Sequence, residues 1–303
     1  MKKAIRSPFF YVGDKYKLMP QLQQLMPKKI GRYIEPFVGG GSSLINTEAE
    51  EYIANDIDTN IIKLHEFLSS YADDPKKLFN ELYERIDKYK LSCSYRNIKV
   101  PDELKKQYVK TYYSRYNKES YTKMRNDFNK NQEDMLQLYL LLIYGFNHMI
   151  RYNSQGKFNL PVGNVDFNKN VHSALVSYLN FFKDNKVKFY NKDYKSFLKK
   201  CEFDENTYIF LDPPYLISSS EYNKLWDEKN EKELCRLLDD LDKKGVKFGI
   251  TNLVNHKGRT NEIFLKWSEK YKVYDIKSNY ISFNDNTIKA DSREVFVTNY
   301  AND

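Results

Sequence analysis

The chain has 303 residues, 41% hydrophobic and 30% charged, which excludes a disordered polypeptide and suits one large α/β domain or a domain carrying an insertion. No apolar run approaches the length of a membrane span, and the basic start breaks off at Gly13-Asp14-Lys15 without the shape of a signal peptide. The formal net charge of +8 is concentrated between Arg85 and Lys130, where 13 Lys/Arg stand against 5 Asp/Glu, so the rest of the chain is neutral.

In chain order, residues 31–57 predict a strand, a glycine turn, a short helix and a second strand that ends at "YIANDID". Residues 60–150 read almost wholly as helix. "NIIKLHEFL" follows the strand, "DDPKKLFNELYERIDKYK" opens with a cap and a first-turn proline, and "EDMLQLYLLLIYGF" is apolar on most faces, hence buried. The basic segment lies here, and seven tyrosines (89, 95, 108, 112, 113, 116, 121) interleave with its cations. That mixture suits a polyanion with stacking bases and makes Lys105, Lys106 and Lys110 candidates for phosphate contact; the plainer alternative is a solvated helical surface. "RYNSQGKFNLPVGN" (Arg151–Asn164) carries turn chemistry between two short runs and predicts a small hairpin. From residue 186 strands and helices alternate again, through "VKFYNKD", "YKSFLKK", "TYIFLD", "NEKELCRLLDDLDKKG", "VKFGITN" and "NEIFLKWSEKY". "VYDIKSNYISF" and "REVFVTNY" close the chain as a strand pair. This pattern predicts a mostly parallel, doubly wound sheet, split in sequence by a helical insertion.

Two stretches carry chemistry. "RYIEPFVGGGSS" places three consecutive glycines after a strand, where backbone can approach a ligand closely. It lacks G-x-G-x-x-G spacing and a phosphate-gripping lysine, which favours a neutral or carboxylate-bearing nucleoside over a pyrophosphate. Asp56, at the end of the next strand, is placed to accept both ribose hydroxyls, and Glu35 to meet an amino or cationic group; either can instead be a helix cap. "YIFLDPPYLI" ends a buried strand in Asp212-Pro213-Pro214-Tyr215. The prolines fix the backbone and remove donors. The Asp212 carboxylate and Pro213 carbonyl then form an acceptor pair suited to an exocyclic NH2, and Tyr215 offers a ring for a flat base. Accepting both amine hydrogens draws the nitrogen toward sp3 and points its lone pair at an electrophile. Cys93, Cys201 and Cys235, and His65, His148, His172 and His256, form no metal spacing and read as structural or surface residues in a cytoplasmic protein.

"EPFVGGGS" followed by "LDPPY", with a basic helical block between, resembles the Dam-type DNA adenine-N6 methyltransferases (alpha group, D12 class), the small phage and bacterial enzymes especially, over nearly the whole chain. The resemblance implies S-adenosylmethionine as methyl donor and adenine N6 in double-stranded DNA as acceptor, reached by base flipping, with GATC as the Dam-like site. It implies a Rossmann-like methyltransferase sheet (1–60 and 165–303) with an inserted helical recognition domain (61–164). Carried over residue by residue, it assigns the cofactor to Tyr11, Gly13 and Lys15 of "YVGDK", to Glu35, Phe37, Gly39, Gly40, Gly41 and Ser42, and to Asp56, Asp193 and Asp212. It places Lys15 at the boundary between cofactor and DNA, Phe146, Asn147 and Met149 at or near the target base pair, and Arg151 on a guanine edge, with Asn153 beside it on the hairpin. Phe146 and Met149 at a helix end are also suitable wedges for the hole a flipped base leaves. Two features depart from the pattern: Phe10 stands where some bacterial Dam enzymes have a base-reading lysine, and the basic segment Ser92–Lys123 is longer than in compact members. A monomer is expected, with a restriction endonuclease as possible companion. The alternatives are an amino-methyltransferase acting on cytosine N4 or on RNA, and a non-catalytic DNA-binding relative.

Overall fold

The computed structural model of the chain describes residues 4–11, 13–218, 226–277 and 292–301. Arg32–Glu35 (β1), Glu51–Asp56 (β2), Val187–Asn191 (β3), Thr207–Leu211 (β4) and Lys247–His256 (β5) lie parallel in the order β3-β2-β1-β4-β5. Arg259–Thr260 (β6) pairs back on β5. Lys272–Ile276 (β7) and Arg293–Thr298 (β8) extend the sheet antiparallel, β8 lying between β5 and β7. The fold is therefore mixed α/β on a mostly parallel sheet, as the alternation predicts.

Met19–Leu25 (α1) precedes the sheet. Six helices separate β2 from β3: Thr59–Ser69 (α2), Pro75–Tyr89 (α3), Asp102–Gln107 (α4), Tyr112–Phe128 (α5), Met135–Tyr144 (α6) and Lys169–Asp184 (α7). Tyr194–Leu198 (α8) joins β3 to β4, Glu228–Lys243 (α9) lies between β4 and β5, and Glu262–Ser268 (α10) follows β6. Asp58, Asp74, Asp134, Asn168 and Asp227 each accept a first-turn N–H and so start α2, α3, α6, α7 and α9.

Side chains alternate across the sheet and build two apolar layers. Tyr33, Tyr52, Tyr208 and Phe296 face α2, α6 and α7; Ile34, Ile209, Phe248 and Val297 face α8, α9 and α10. β4 is buried at every residue, as a parallel strand covered on both sides must be. α2 and α7 lie together, with α2 against β2 and β3, and α6 joins α2 to the outer helices α3 and α5.

Three expectations change. The short helix after the glycine turn is only a one-turn 3-10 helix, Leu44–Asn46, because the Asn46 and Thr47 side chains take the carbonyls of Ser42 and Ser43. The hairpin at 151–164 is held by isolated bridges, Tyr152 to Phe158 and Val162 to Gly145, rather than by a ladder. The strand read at "VYDIKSNYISF" is β7 as far as Ile276, and its part beyond residue 277 lies outside the described residues.

Candidate active site

β1 leads to β2 on one side and has β4 on the other, so the C-terminal ends of β1 and β4 open a crevice where the sheet changes direction. Glu35 and the glycines arrive from β1, Asp212 from β4 and Asp56 from β2.

The glycine turn is gripped peptide by peptide. The Gly39 N–H donates to Asp56 Oδ2 at 2.8 Å, and the Gly39 carbonyl is 2.8 Å from His65 Nε2 on α2. Ser7 Oγ donates to the Gly40 carbonyl, and the Gly41 N–H closes on the Val38 carbonyl at 2.7 Å. A Cβ on Gly40 would lie 2.9 Å from Tyr11 Cβ, and one on Gly41 would lie 2.8 Å from His65 Cε1, so neighbouring chain occupies the space a side chain would need. Tyr11 therefore covers the turn at Gly39 and Gly40. His65 is fully buried, with Nδ1 2.8 Å from the Tyr178 hydroxyl. Burial pulls its pKa down to about 4, so the ring is neutral: Nε2–H donates to Gly39 and Nδ1 accepts from Tyr178. The sequence reading assigned this histidine no part in the site. Its signal was a lone polar residue on the apolar face of "NIIKLHEFL".

Glu35 is buried and accepts from the Tyr33 hydroxyl at 3.1 Å, and among the described residues no cation pairs with it. Burial, with Asp212 and Asp56 adding, raises its pKa well above the carboxylate range. Burial also raises Asp56, to about 6, against the pull of the Asp58 and Gly39 N–H groups. Within this turn the Ser42 hydroxyl is buried without a partner, and among the described residues the Gly40 N–H also has none. Two unsatisfied polar groups on the glycine turn and a buried acid with no cation beside it among the described residues fit a nucleoside that carries an amino acid.

Phe37 packs on Tyr194 and Trp226, with ring centres 5.1 and 5.9 Å away, and the Trp226 Nε1–H is fixed by Glu231 at 2.6 Å. Asp193 caps α8 by accepting from Lys195 and Ser196 N–H through Oδ1. This aromatic wall supplies an apolar edge beside the crevice.

Asp212 is the most heavily engaged group of the crevice. Its Oδ1 accepts from Thr251 Oγ1 at 2.7 Å and lies 3.0 Å from the Tyr215 hydroxyl; its Oδ2 pairs with Lys15 Nζ at 2.8 Å. Lys15 also donates to the Gly13 carbonyl and stands 5.1 Å from the Tyr215 ring centre. Burial works against its charge, but Asp212 and Glu294 outweigh that and keep its pKa above the lysine norm. A cation of this protein thus holds the place at Asp212 that sequence reasoning reserved, together with the Pro213 carbonyl, for a substrate amine. Thr251 and Glu294 were missed. Thr251 lies in "GITN", and the available signal for Glu294 was an acid inside the otherwise apolar run "REVFVT".

At the end of α6 the backbone is strained. Asn147 and His148 have φ of 55° and 50°, and Phe146 is 53% exposed. Two successive non-glycine residues in this region cost about 1–3 kcal/mol each, which such sites commonly retain for function. Phe10, itself at φ 51°, has its ring centre 5.4 Å from that of His148. Met149 is half-buried behind them. Arg151 does not reach outward unaided: Nε and Nη2 donate to the Asn159 side chain and carbonyl, both at 2.9 Å. Asn153 holds the hairpin turn, its Oδ1 accepting from Gln155 and Lys157 N–H. The hairpin is anchored on α5 and its C-terminal turn by Arg125, Asn129 and Gln132. Lys106 and Lys110 are exposed on and after α4, and Lys105 pairs with Asp102 at 2.9 Å.

A family model described as D12 class N6 adenine-specific DNA methyltransferase matches residues 11–281. Type II methyltransferase M.FokI of Planomicrobium okeanokoites is 32% identical over 98% of this chain and 43% of its own length. Modification methylase StsI of Streptococcus sanguinis is 30% identical over 99% and 43%. The DNA adenine methylase of Escherichia coli K12 is 28% identical over 74% and 69%. The chain spans less than half the length of the first two relatives.

Proposed function

The chain belongs to the D12 class of N6 adenine-specific DNA methyltransferases, and we propose that it methylates adenine N6 in duplex DNA with S-adenosylmethionine as donor. The observation that carries this reading is the convergence of Asp212 and the gripped glycine turn at one switch point of the sheet. The cofactor would supply an electrophilic methyl group. Gly40 N–H and the Ser42 hydroxyl are free to receive it, Glu35 suits its ammonium group, Asp56 its ribose, and the Phe37 wall with Asp193 its adenine. Tyr11 closes the turn, and Gly13, at φ 83°, lets the chain bend back so that Lys15 reaches the crevice. Asp212, oriented by Thr251, accepts from the target amine and aims its lone pair; Pro213 and Pro214 keep the backbone rigid and Tyr215 stacks on the base. The proton on the methylated nitrogen leaves after transfer, so no base need act before attack.

DNA reading is assigned to the helical part, 61–164. Phe146, Asn147 and Met149 on the strained end of α6 stand at the emptied base position, Arg151 presents the unbonded side of its fork to a guanine, Asn153 supports the hairpin, and the lysines near α4 meet phosphates. GATC is the first site to test, and a companion restriction endonuclease is in keeping with the names of the modification methylases it resembles. No helix among the described residues is long and apolar enough to cross a membrane. The test is incubation with labelled S-adenosylmethionine and synthetic duplexes, followed by mapping of the modified base. N6-methyladenine supports the reading; N4-methylcytosine, methylated RNA alone, or no transfer in spite of tight DNA binding would each replace it with one of the alternatives.

A further inference from the structure

Glu294 sits on β8, registered with Leu253 of β5 and Ile276 of β7, so its backbone is fixed from both sides. Its side chain is 1% exposed. Oε1 accepts from the Tyr215 hydroxyl at 2.7 Å, while Oε2 has no partner. A buried carboxylate oxygen left unsatisfied is costly, and such a group calls for an explanation. Lys15 Nζ lies 3.9 Å from Oε1, beyond a charge-assisted hydrogen bond but inside the range of one side-chain adjustment.

Resting on the proposed function, the need for a second acceptor follows from competition at Asp212. The Asp212 carboxylate accepts from Thr251 and Lys15 and has beside it the Tyr215 hydroxyl, 3.0 Å from Oδ1, whose one proton goes to Glu294. Thr251 and Tyr215 belong to the elements that carry the site, whereas Lys15 stands on a flexible stem. An arriving adenine amine therefore displaces Lys15. The Lys15 side chain is only 8% exposed, and a buried ammonium cannot be left without an anion. We propose that Glu294 is a positioning residue that takes over the Lys15 ammonium when the target amine occupies Asp212. Reaching Oε1, which keeps a lone pair beside its bond from Tyr215, takes a shift of about 1 Å, from 3.9 Å to an ordinary ion-pair distance of about 2.8 Å. The handover keeps the cation in the crevice, over the Tyr215 ring, and leaves both Asp212 oxygens properly donated to in either state.

The experiment is a double-mutant cycle on single-turnover methyl transfer to an adenine duplex, with wild type, Glu294→Gln, Lys15→Met and the double variant, alongside affinities for duplex and S-adenosylmethionine. Glutamine still accepts from Tyr215 but carries no charge for Lys15. Glu294→Gln is expected to slow transfer about tenfold or more with duplex affinity within about threefold, and to change the rate less than about threefold in the Lys15→Met background. The same loss in both backgrounds would show that Glu294 acts through Tyr215 or the fold alone and overturn the proposal, as would a loss confined to DNA affinity. If Glu294→Gln fails to fold in thermal melts, Glu294→Asp replaces it in the cycle, keeping the charge on a shorter arm, with the same criterion. Absence of adenine methylation by the wild type would instead overturn the proposed function itself.

Discussion

Replacing His65 by glutamine tests whether the glycine turn is held by a neutral imidazole. The glutamine amide can still donate to the Gly39 carbonyl, but the Tyr178 hydroxyl, 2.8 Å from Nδ1, loses its acceptor inside the core. A buried hydroxyl left unpaired costs about 1–3 kcal/mol, so the variant should be less stable by that amount at pH 7. The pH dependence works the other way. Burial lowers the pKa from the ordinary 6.5 to about 4, so between these values the unfolded chain binds a proton that the folded chain refuses. Stability from this group is complete above pH 6.5 and falls as pH drops toward about 4, by about 3 kcal/mol for a shift of roughly 2.5 units. Glutamine does not titrate. Denaturant unfolding of both proteins from pH 7.5 to 4 should therefore show converging curves, with the variant equal to wild type near the acid end. Asp56 titrates with the opposite sign, since its raised pKa favours the fold as pH falls through about 6, but it is common to both proteins and cancels in the difference. S-adenosylmethionine affinity should stay within a few-fold in His65→Gln and drop about tenfold in His65→Ala, where the Gly39 carbonyl has lost its donor. Curves that stay parallel across the whole range would refute the buried neutral histidine.

Asp212→Ala should lower single-turnover methyl transfer about 100-fold or more, while cofactor still raises the melting temperature; near-normal turnover would remove its assigned role. Cofactor affinity, measured by calorimetry, should weaken as pH falls through about 6, because protonated Asp56 loses an acceptor for ribose, and Asp56→Asn should weaken affinity and flatten that pH dependence, leaving only the part that Glu35 contributes. Arg151→Ala should cost about 1–3 kcal/mol on the cognate duplex and relax discrimination at one base pair. Neutralising Lys105, Lys106 and Lys110 should instead weaken binding to all sequences and flatten its salt dependence, as binding at two salt concentrations would show.

Local chemistry was legible in the sequence where a few adjacent residues suffice. Alternation gave away the parallel sheet, the glycine triplet its close-approach turn, and "DPPY" an acid presented at a strand end. The cap and first-turn proline read at "DDPKKLF" mark the start of α3, where Asp74 accepts from the Lys77 N–H. What the sequence could not show is which distant residues meet. His65 comes 26 residues after Gly39, and Glu294 comes 79 after Tyr215; neither spacing has a local signature. The amine-sized place at Asp212 read as empty, because nothing near Lys15 in sequence says that its ammonium will fold onto an acid almost two hundred residues away. Arg151 read as a reader of a guanine edge, yet two of its five N–H donors are used by Asn159 across the hairpin. Hydrophobic period and turn chemistry act over a few residues, so they survive in the sequence alone. A buried charge chooses its partner only after burial has removed water, and that choice belongs to the tertiary structure.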